Sequence, residues 1–205
     1  MDARVGEVLD LYHRRMQDEA PLMRQAPSQT DTGWLDRVLL AVGPDTGRLI
    51  NILVRSLKAP NILELGTSYG YSGIWLGEAA RATGGRVTTM ELQDYKSSHA
   101  REMAEKAGLA EHIDFKVGDA VRMIGELPFG LDFVLVDLWK DLYVPCLEAF
   151  YPKLNPGAIV VADNMIFPDT EEVRVYAKAI RAKPGISSVL LPVGSGLEVS
   201  RFDGT

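Results

Sequence analysis

The chain has 205 residues, 46% hydrophobic and 24% charged, with a formal net charge of −6. That length suits one domain with a substantial core. The acidic balance, with no cluster of lysine and arginine, disfavours a protein that grips nucleic acid or an anionic membrane and leaves a small molecule as the expected partner. Cys146 is the only cysteine, so there is neither an intramolecular disulfide nor a thiolate metal cage. The first twenty residues are too charged for a secretory signal and no run approaches a membrane span, so the expected location is cytoplasmic.

Val5, Val8, Leu9, Tyr12 and Met16 fall at helical spacing, Ala26 to Gly33 reads as a loop, and a second helical stretch is expected from Trp34 to Leu40. After Gly43-Pro44, with Asp45 or Thr46 able to cap, Leu49, Ile50, Leu53, Val54 and Leu57 form one apolar face, and Pro60 resets the chain. Strands and helices then alternate. Strands are predicted at 61–65, 86–91, 112–117, 131–137 and 157–163, with helices near 71–82, 94–107, 119–126, 141–152 and 169–182. Phe133 to Val136 and Ala158 to Ala162 are apolar throughout, as strands covered on both faces should be. Two further strands, 187–192 and 197–202, are joined by a turn at Pro192 to Gly196, so the sheet ends antiparallel. The predicted fold is α/β: a doubly wound, Rossmann-like, mostly parallel seven-stranded sheet with one reversed edge strand and helices on both faces. Its ligand belongs at the carboxyl ends of the strands, near the switch point.

Leu63-Glu64-Leu65-Gly66-Thr67-Ser68-Tyr69-Gly70-Tyr71-Ser72-Gly73 runs from a strand through a glycine-punctuated loop into a helix. Such a loop lets a ligand lie against bare main chain near unpaired helix N–H groups. Its Gly-x3-Gly-x2-Gly spacing is neither the dinucleotide nor the phosphate-loop pattern, and no lysine follows to hold a phosphate. Glu64 can hold a ligand ammonium, and Glu91, closing the next strand, can take two ribose hydroxyls. S-adenosylmethionine has an ammonium, a ribose and no phosphate. A nicotinamide oxidoreductase would share the loop and Glu91 but needs tighter glycine spacing.

The fourth strand ends in Asp137-Leu138-Trp139-Lys140-Asp141 and the fifth in Ala162-Asp163-Asn164. Two carboxylates and an amide on neighbouring tips are all oxygen donors, suited to a hard cation such as Mg²⁺. Either acid alone is more readily a helix or turn cap; together, beside the glycine loop and Glu91, they favour a site.

Asp132 to Tyr143, Ala162-Asp163-Asn164 and Leu63 to Gly66 closely resemble the cation-dependent, S-adenosylmethionine-dependent O-methyltransferases of the catechol and caffeoyl-CoA type, over nearly the whole chain. The resemblance implies the class I methyltransferase fold as a single domain over 1–205, with N-terminal helices within 1–57 packing over the cofactor and substrate end. Val42, Glu64, Gly66, Thr67 and Ser72 would hold the methionine portion, Glu91 the ribose, and Leu92, Ala120 and Trp139 the adenine. Asp137, Asp163 and Asn164 would hold Mg²⁺, with Asp137 also near the cofactor's amino group. Lys140 would be the catalytic base for a small, vicinal-dihydroxy aromatic acceptor, and a homodimer is a compatible assembly. A non-catalytic S-adenosylmethionine-binding relative would be expected to have lost part of the metal set or the lysine, and neither is lost.

Two positions depart from the animal catechol enzymes. Leu138 stands where they have a histidine beside the adenine, and Val189 lies roughly where they carry a glutamate for the second catechol hydroxyl. The acceptor ring therefore stays open. His13, His99 and His112 have no second ligand at metal spacing and receive no role. Cys146 reads as buried, Trp34 and Trp75 as partly core. Asp119 either touches the adenine amine or caps the next helix.

Overall fold

The computed structural model describes residues 2–24 and 37–204. The expected loop Ala26 to Gly33 and the start of the helix expected from Trp34 lie outside them. The part within, Val38 to Leu40, is not helical. There the Leu39 N–H donates to Glu19 Oε2 at 2.6 Å, a side-chain bond that takes the place of a helical one.

The helices are α1 (Ala3–Arg24), α2 (Pro44–Arg55), α3 (Tyr71–Thr83), α4 (Asp94–Lys106), α5 (Ala120–Gly125), α6 (Tyr143–Phe150) and α7 (Glu171–Arg181). The strands are β1 (Asn61–Leu65), β2 (Arg86–Glu91), β3 (Ile113–Val117), β4 (Leu131–Val136), β5 (Leu154–Ala162), β6 (Ile186–Leu191) and β7 (Leu197–Phe202). Helix α2 starts at Pro44, one residue before the expected caps, because Gly43 takes the cap position and proline is preset for the first turn. Asp45 pairs with Arg48 instead.

The sheet order is β3-β2-β1-β4-β5-β7-β6. β1 to β5 pair in parallel, and β7 runs antiparallel to both β5 and β6. The reversed strand is thus the last in sequence, but it lies inside the sheet and β6 forms the edge. Burial explains this correction to the expected reversed edge. β7 carries the buried Leu197, Glu198, Ser200 and Phe202, whereas no residue of β6 is fully buried and Val189 and Leu190 face solvent.

Period-two alternation divides the central strands between two cores. Ile62, Phe133, Leu135, Ile159 and Val161 pack with residues of α1 to α4, and Leu63, Leu65, Val134, Val136, Val160 and Ala162 with residues of α5 to α7. Both faces are buried, so these strands need apolar residues at consecutive positions. Among the described residues no helix is long and apolar enough to cross a membrane.

The order reverses between β1 and β4, which puts the crevice at their carboxyl ends. Gly66 sits there at φ 96, and a Cβ on it would stand 2.1 Å from the Asp137 carbonyl oxygen. Gly66→Ala should therefore force the two tips apart and destabilise the fold by on the order of 2–3 kcal/mol, read from urea midpoints. An unchanged midpoint would show that the tips can part freely.

Candidate active site

Alternation along β1 turns Glu64 toward the α3 side, where it is fully buried. Its register partner on β2, Thr89, donates its hydroxyl to Glu64 Oε2 at 2.5 Å and accepts from the Thr67 hydroxyl. Glu64 Oε1 is buried without any partner. Burial pushes this carboxyl up to about 7, against the opposing pull of the Ser72 and Thr89 hydroxyls. Leaving a buried carboxylate oxygen unpaired is costly, so this oxygen is open to a proton or to a donor or cation from outside the chain.

At the tip of β2 the Glu91 carboxylate is fixed by main-chain donors, Ser68 N at 2.8 Å to one oxygen and Gln93 N at 3.0 Å to the other. Next to it Leu92 is 64% exposed, and Trp139 after β4 is 52% exposed. Trp139 is therefore not core, and both side chains are free to cover a flat apolar ligand. Asp119 caps α5 through the Arg122 N–H at 2.8 Å, beside Ala120 at the first position of that helix. Val42 is buried in the extended segment entering α2, and Ser72 is buried in the first turn of α3 behind the left-handed Gly70.

The parallel ladder continues one residue past each strand. Asp137 N donates to Leu65 O at 2.9 Å and Asp163 N to Val136 O at 3.0 Å, which places both carboxylates on adjacent tips. Lys140 reaches between them. Its Nζ lies 2.6 Å from Asn164 Oδ1, 2.7 Å from the Tyr143 hydroxyl and 3.8 Å from Asp137 Oδ1. Tyr143 in turn donates to the Asp163 carbonyl at 3.0 Å. Asn164 adopts a left-handed conformation, φ 57, and Asp163 Oδ1 is buried without a partner. Burial, with Asp163 nearby, holds the Asp137 carboxyl well above the usual range, and burial raises Asp163 to about 6. Burial also lowers the Lys140 ammonium, against the pull of Asp137 and Asp163. Among the described residues no group of three or more histidine, cysteine or acidic side chains converges, so a cation here would rest on these two carboxylates and the amide.

A model of the O-methyltransferase family matches residues 15–202. The chain belongs to that family. It is 32% identical over 133 residues to the catechol O-methyltransferase of Niastella koreensis, an overlap covering 62% of this chain and 59% of the relative's length. It is 27% identical over 186 residues to caffeoyl-CoA O-methyltransferase 1 of Arabidopsis thaliana, covering 80% of this chain and 71% of that one. The O-methyltransferase of Bacillus cereus, solved in complex with SAH, superposes with a TM-score of 0.75 at 25% identity, over 98% of this chain and 91% of the other.

In this member of the family every predicted site residue lies at or next to a strand or helix end on the carboxyl side of the sheet, except Val42, which enters α2. The histidines were assigned no role, and His13 Nε2 bonds the Tyr71 hydroxyl at 3.0 Å. Leu138 is partly buried against the second core, and Val189 is half exposed on edge strand β6, paired with Val199. Tyr143 and Thr89 escaped the sequence reading. The three-residue step from Lys140 to Tyr143 was a usable signal, whereas Thr89 emerges only from strand register. Phe167, 73% exposed three residues beyond Asn164, was also missed. Lys140 further lines a groove of about 290 Å³ with Asp141, Val144, Glu171, Glu172 and Val175.

Proposed function

We propose that this O-methyltransferase transfers a methyl group from S-adenosylmethionine to a hydroxyl of a small aromatic acceptor with two adjacent oxygens, chelated by a divalent cation such as Mg²⁺. One observation carries the reading. Two buried carboxylate oxygens, Glu64 Oε1 and Asp163 Oδ1, have no hydrogen-bond partner among the described residues, on tips that flank Asp137. The first fits the ammonium of the cofactor and the second a hard cation. The SAH complex of the Bacillus cereus enzyme and the names of the catechol and caffeoyl-CoA relatives support the same reading.

In this reading Glu64 receives the cofactor ammonium and Glu91, pinned by Ser68 and Gln93, orients toward the ribose hydroxyls. Leu92, Ala120 and Trp139 border the adenine, while Val42, Gly66, Thr67 and Ser72 surround the methionine end. Asp137, Asp163 and Asn164 hold the cation, which when bound supplies a fixed chelate and a more acidic acceptor hydroxyl. Lys140 takes that hydroxyl's proton onto Nζ. Its burial favours the neutral amine that can accept it, and Tyr143 and Asn164 hold it in place. Among the described residues the adjoining groove sets Asp141, Glu171 and Glu172 beside Lys140, an acidic lining that favours a small acceptor over one carrying the phosphates of a coenzyme A thioester. A cytoplasmic setting belongs to the same reading, in which the free, buried Cys146 takes no part.

Calorimetry tests the cofactor. S-adenosylhomocysteine (SAH) should bind and NAD should not; tight NAD binding without a response to SAH would overturn the reading. Affinity for SAH should fall as pH drops through about 7, because protonation removes the charge with which Glu64 would meet an ammonium. In the free protein the raised Glu64 carboxyl contributes stability that is present below its ordinary 4.5 and lost as pH climbs through about 7. The rise in Tm on adding SAH should therefore grow across that interval.

A further inference from the structure

The turn Pro192 to Gly196, between β6 and β7, touches two separate parts of the site. A Cβ on Gly194, which sits at φ 57, would stand 2.6 Å from Thr46 Oγ1 and 3.3 Å from the Val42 carbonyl oxygen. Thr46, in the first turn of α2, is fully buried and its hydroxyl has no hydrogen-bond partner among the described residues, so the turn rests directly on the start of that helix. Two residues on, a Cβ on Gly196, at φ 93, would stand 2.6 Å from the Ile166 nitrogen. The turn also accepts three main-chain bonds from the loop after β5, all at 2.9 Å: Met165 N to Gly196 O, and Ile166 N and Phe167 N to Ser195 O. Asn164 immediately precedes that trio. Gly196 N closes the turn on Val193 O at 2.9 Å, and Val193 packs against the first core.

We propose that this turn is the positioning element of the reaction, with Gly194 seating the Val42–Thr46 segment that holds the cofactor's methionine end and Gly196 seating the loop that carries Asn164. The inference rests on the function proposed above. Methyl transfer needs its reacting atoms in line at about 3 Å, and small misplacements are expensive in rate. One rigid turn between the cofactor segment and the cation loop keeps their spacing fixed. Both contacts require main chain without a Cβ, which accounts for glycines at two positions that also have positive φ.

The two contacts predict opposite binding defects. Gly194→Ala should weaken SAH binding by about tenfold, measured by calorimetry, while Mn²⁺ affinity, measured by the free-ion paramagnetic signal, stays within about twofold. Adding Thr46→Ala to that variant removes the atom the new methyl meets and should restore most of the SAH affinity. Gly196→Ala should weaken Mn²⁺ by about tenfold and spare SAH. Ile166→Ala, at a part-exposed side chain and therefore safe for folding, should also weaken Mn²⁺ and spare SAH. The inference is overturned if the variants weaken both ligands in step with a fall in Tm, if they weaken neither, or if Ile166→Ala keeps full Mn²⁺ affinity. An unmodified chain that binds neither SAH nor Mn²⁺ removes the methyltransferase reading itself, and this inference with it.

Discussion

Asp163→Ala should abolish methyl transfer, by on the order of a thousandfold or more, while SAH still binds, and a chelator added to the unmodified protein should do the same. Asp163 is the acid whose Oδ1 is buried with nothing to meet it, beside an Asn164 that now serves only the lysine. Without its carboxylate a divalent cation loses one of two charged donors. Glu64 and Glu91, the acids proposed to meet the cofactor, lie on other strands and should survive the change. Stability separates this outcome from misfolding. The Asp163 carboxyl, raised by burial to about 6, contributes stability only below its ordinary 3.8 and loses it as pH rises through about 6. At neutral pH its removal should therefore leave Tm unchanged or higher. Mg²⁺ should restore the chelated protein and not the variant. Full turnover in excess chelator would show that Asp137, Asp163 and Asn164 are structural.

Lys140→Met should cost a weakly acidic vicinal diol about a hundredfold or more in kcat, and a nitro-substituted one far less, at fixed Mg²⁺ and pH. An acceptor already ionised in solution needs no proton taken from it. The site adds a second readout. Lys140 Nζ occupies the space among Asn164 Oδ1, the Tyr143 hydroxyl and Asp137, so its loss frees the Asn164 oxygen and removes a group that competes with a cation for this corner. Mn²⁺ affinity should then be kept or increased while turnover falls. Equal losses across all acceptor acidities would remove Lys140 from the base role. A preference for isolated hydroxyls in the unmodified enzyme would remove the bidentate acceptor.

The placement of the candidate site residues was legible wherever it resides in consecutive residues. Asp137-x-x-Lys140 and Asp163-Asn164 stand at strand tips because Phe133–Val136 and Ala158–Ala162 could only be strands buried on both faces. Gly66 was readable as a loop glycine, but its contact with the Asp137 carbonyl was not, because that closeness depends on how β1 and β4 pair. Thr89 meets Glu64 through the same kind of cross-strand register. Glu64 itself was visible as an acid, but not as a fully buried one with a free oxygen, since burial is a property of the packed sheet. Val38 to Leu40 misled the helical reading because a side chain from α1, distant in sequence, takes the Leu39 amide. The position of β7 was hidden for a related reason. A hairpin reads the same whichever of its strands docks on the sheet, and the choice rests on which strand buries more.

That choice bears on how the polypeptide assembles as it is made. Among the described residues β5 and β6 are bridged in the sheet by β7, which follows both of them in sequence, so neither the β5 margin nor β6 is paired until Leu197 to Phe202 leave the ribosome. Until then β5 presents an unpaired, apolar margin of the kind that recruits other chains. The nascent protein's exposure to aggregation should therefore depend on how soon the β6–β7 hairpin arrives. Substitutions that slow closure of the Pro192–Gly196 turn should lower soluble yield more than they lower the stability of protein already folded.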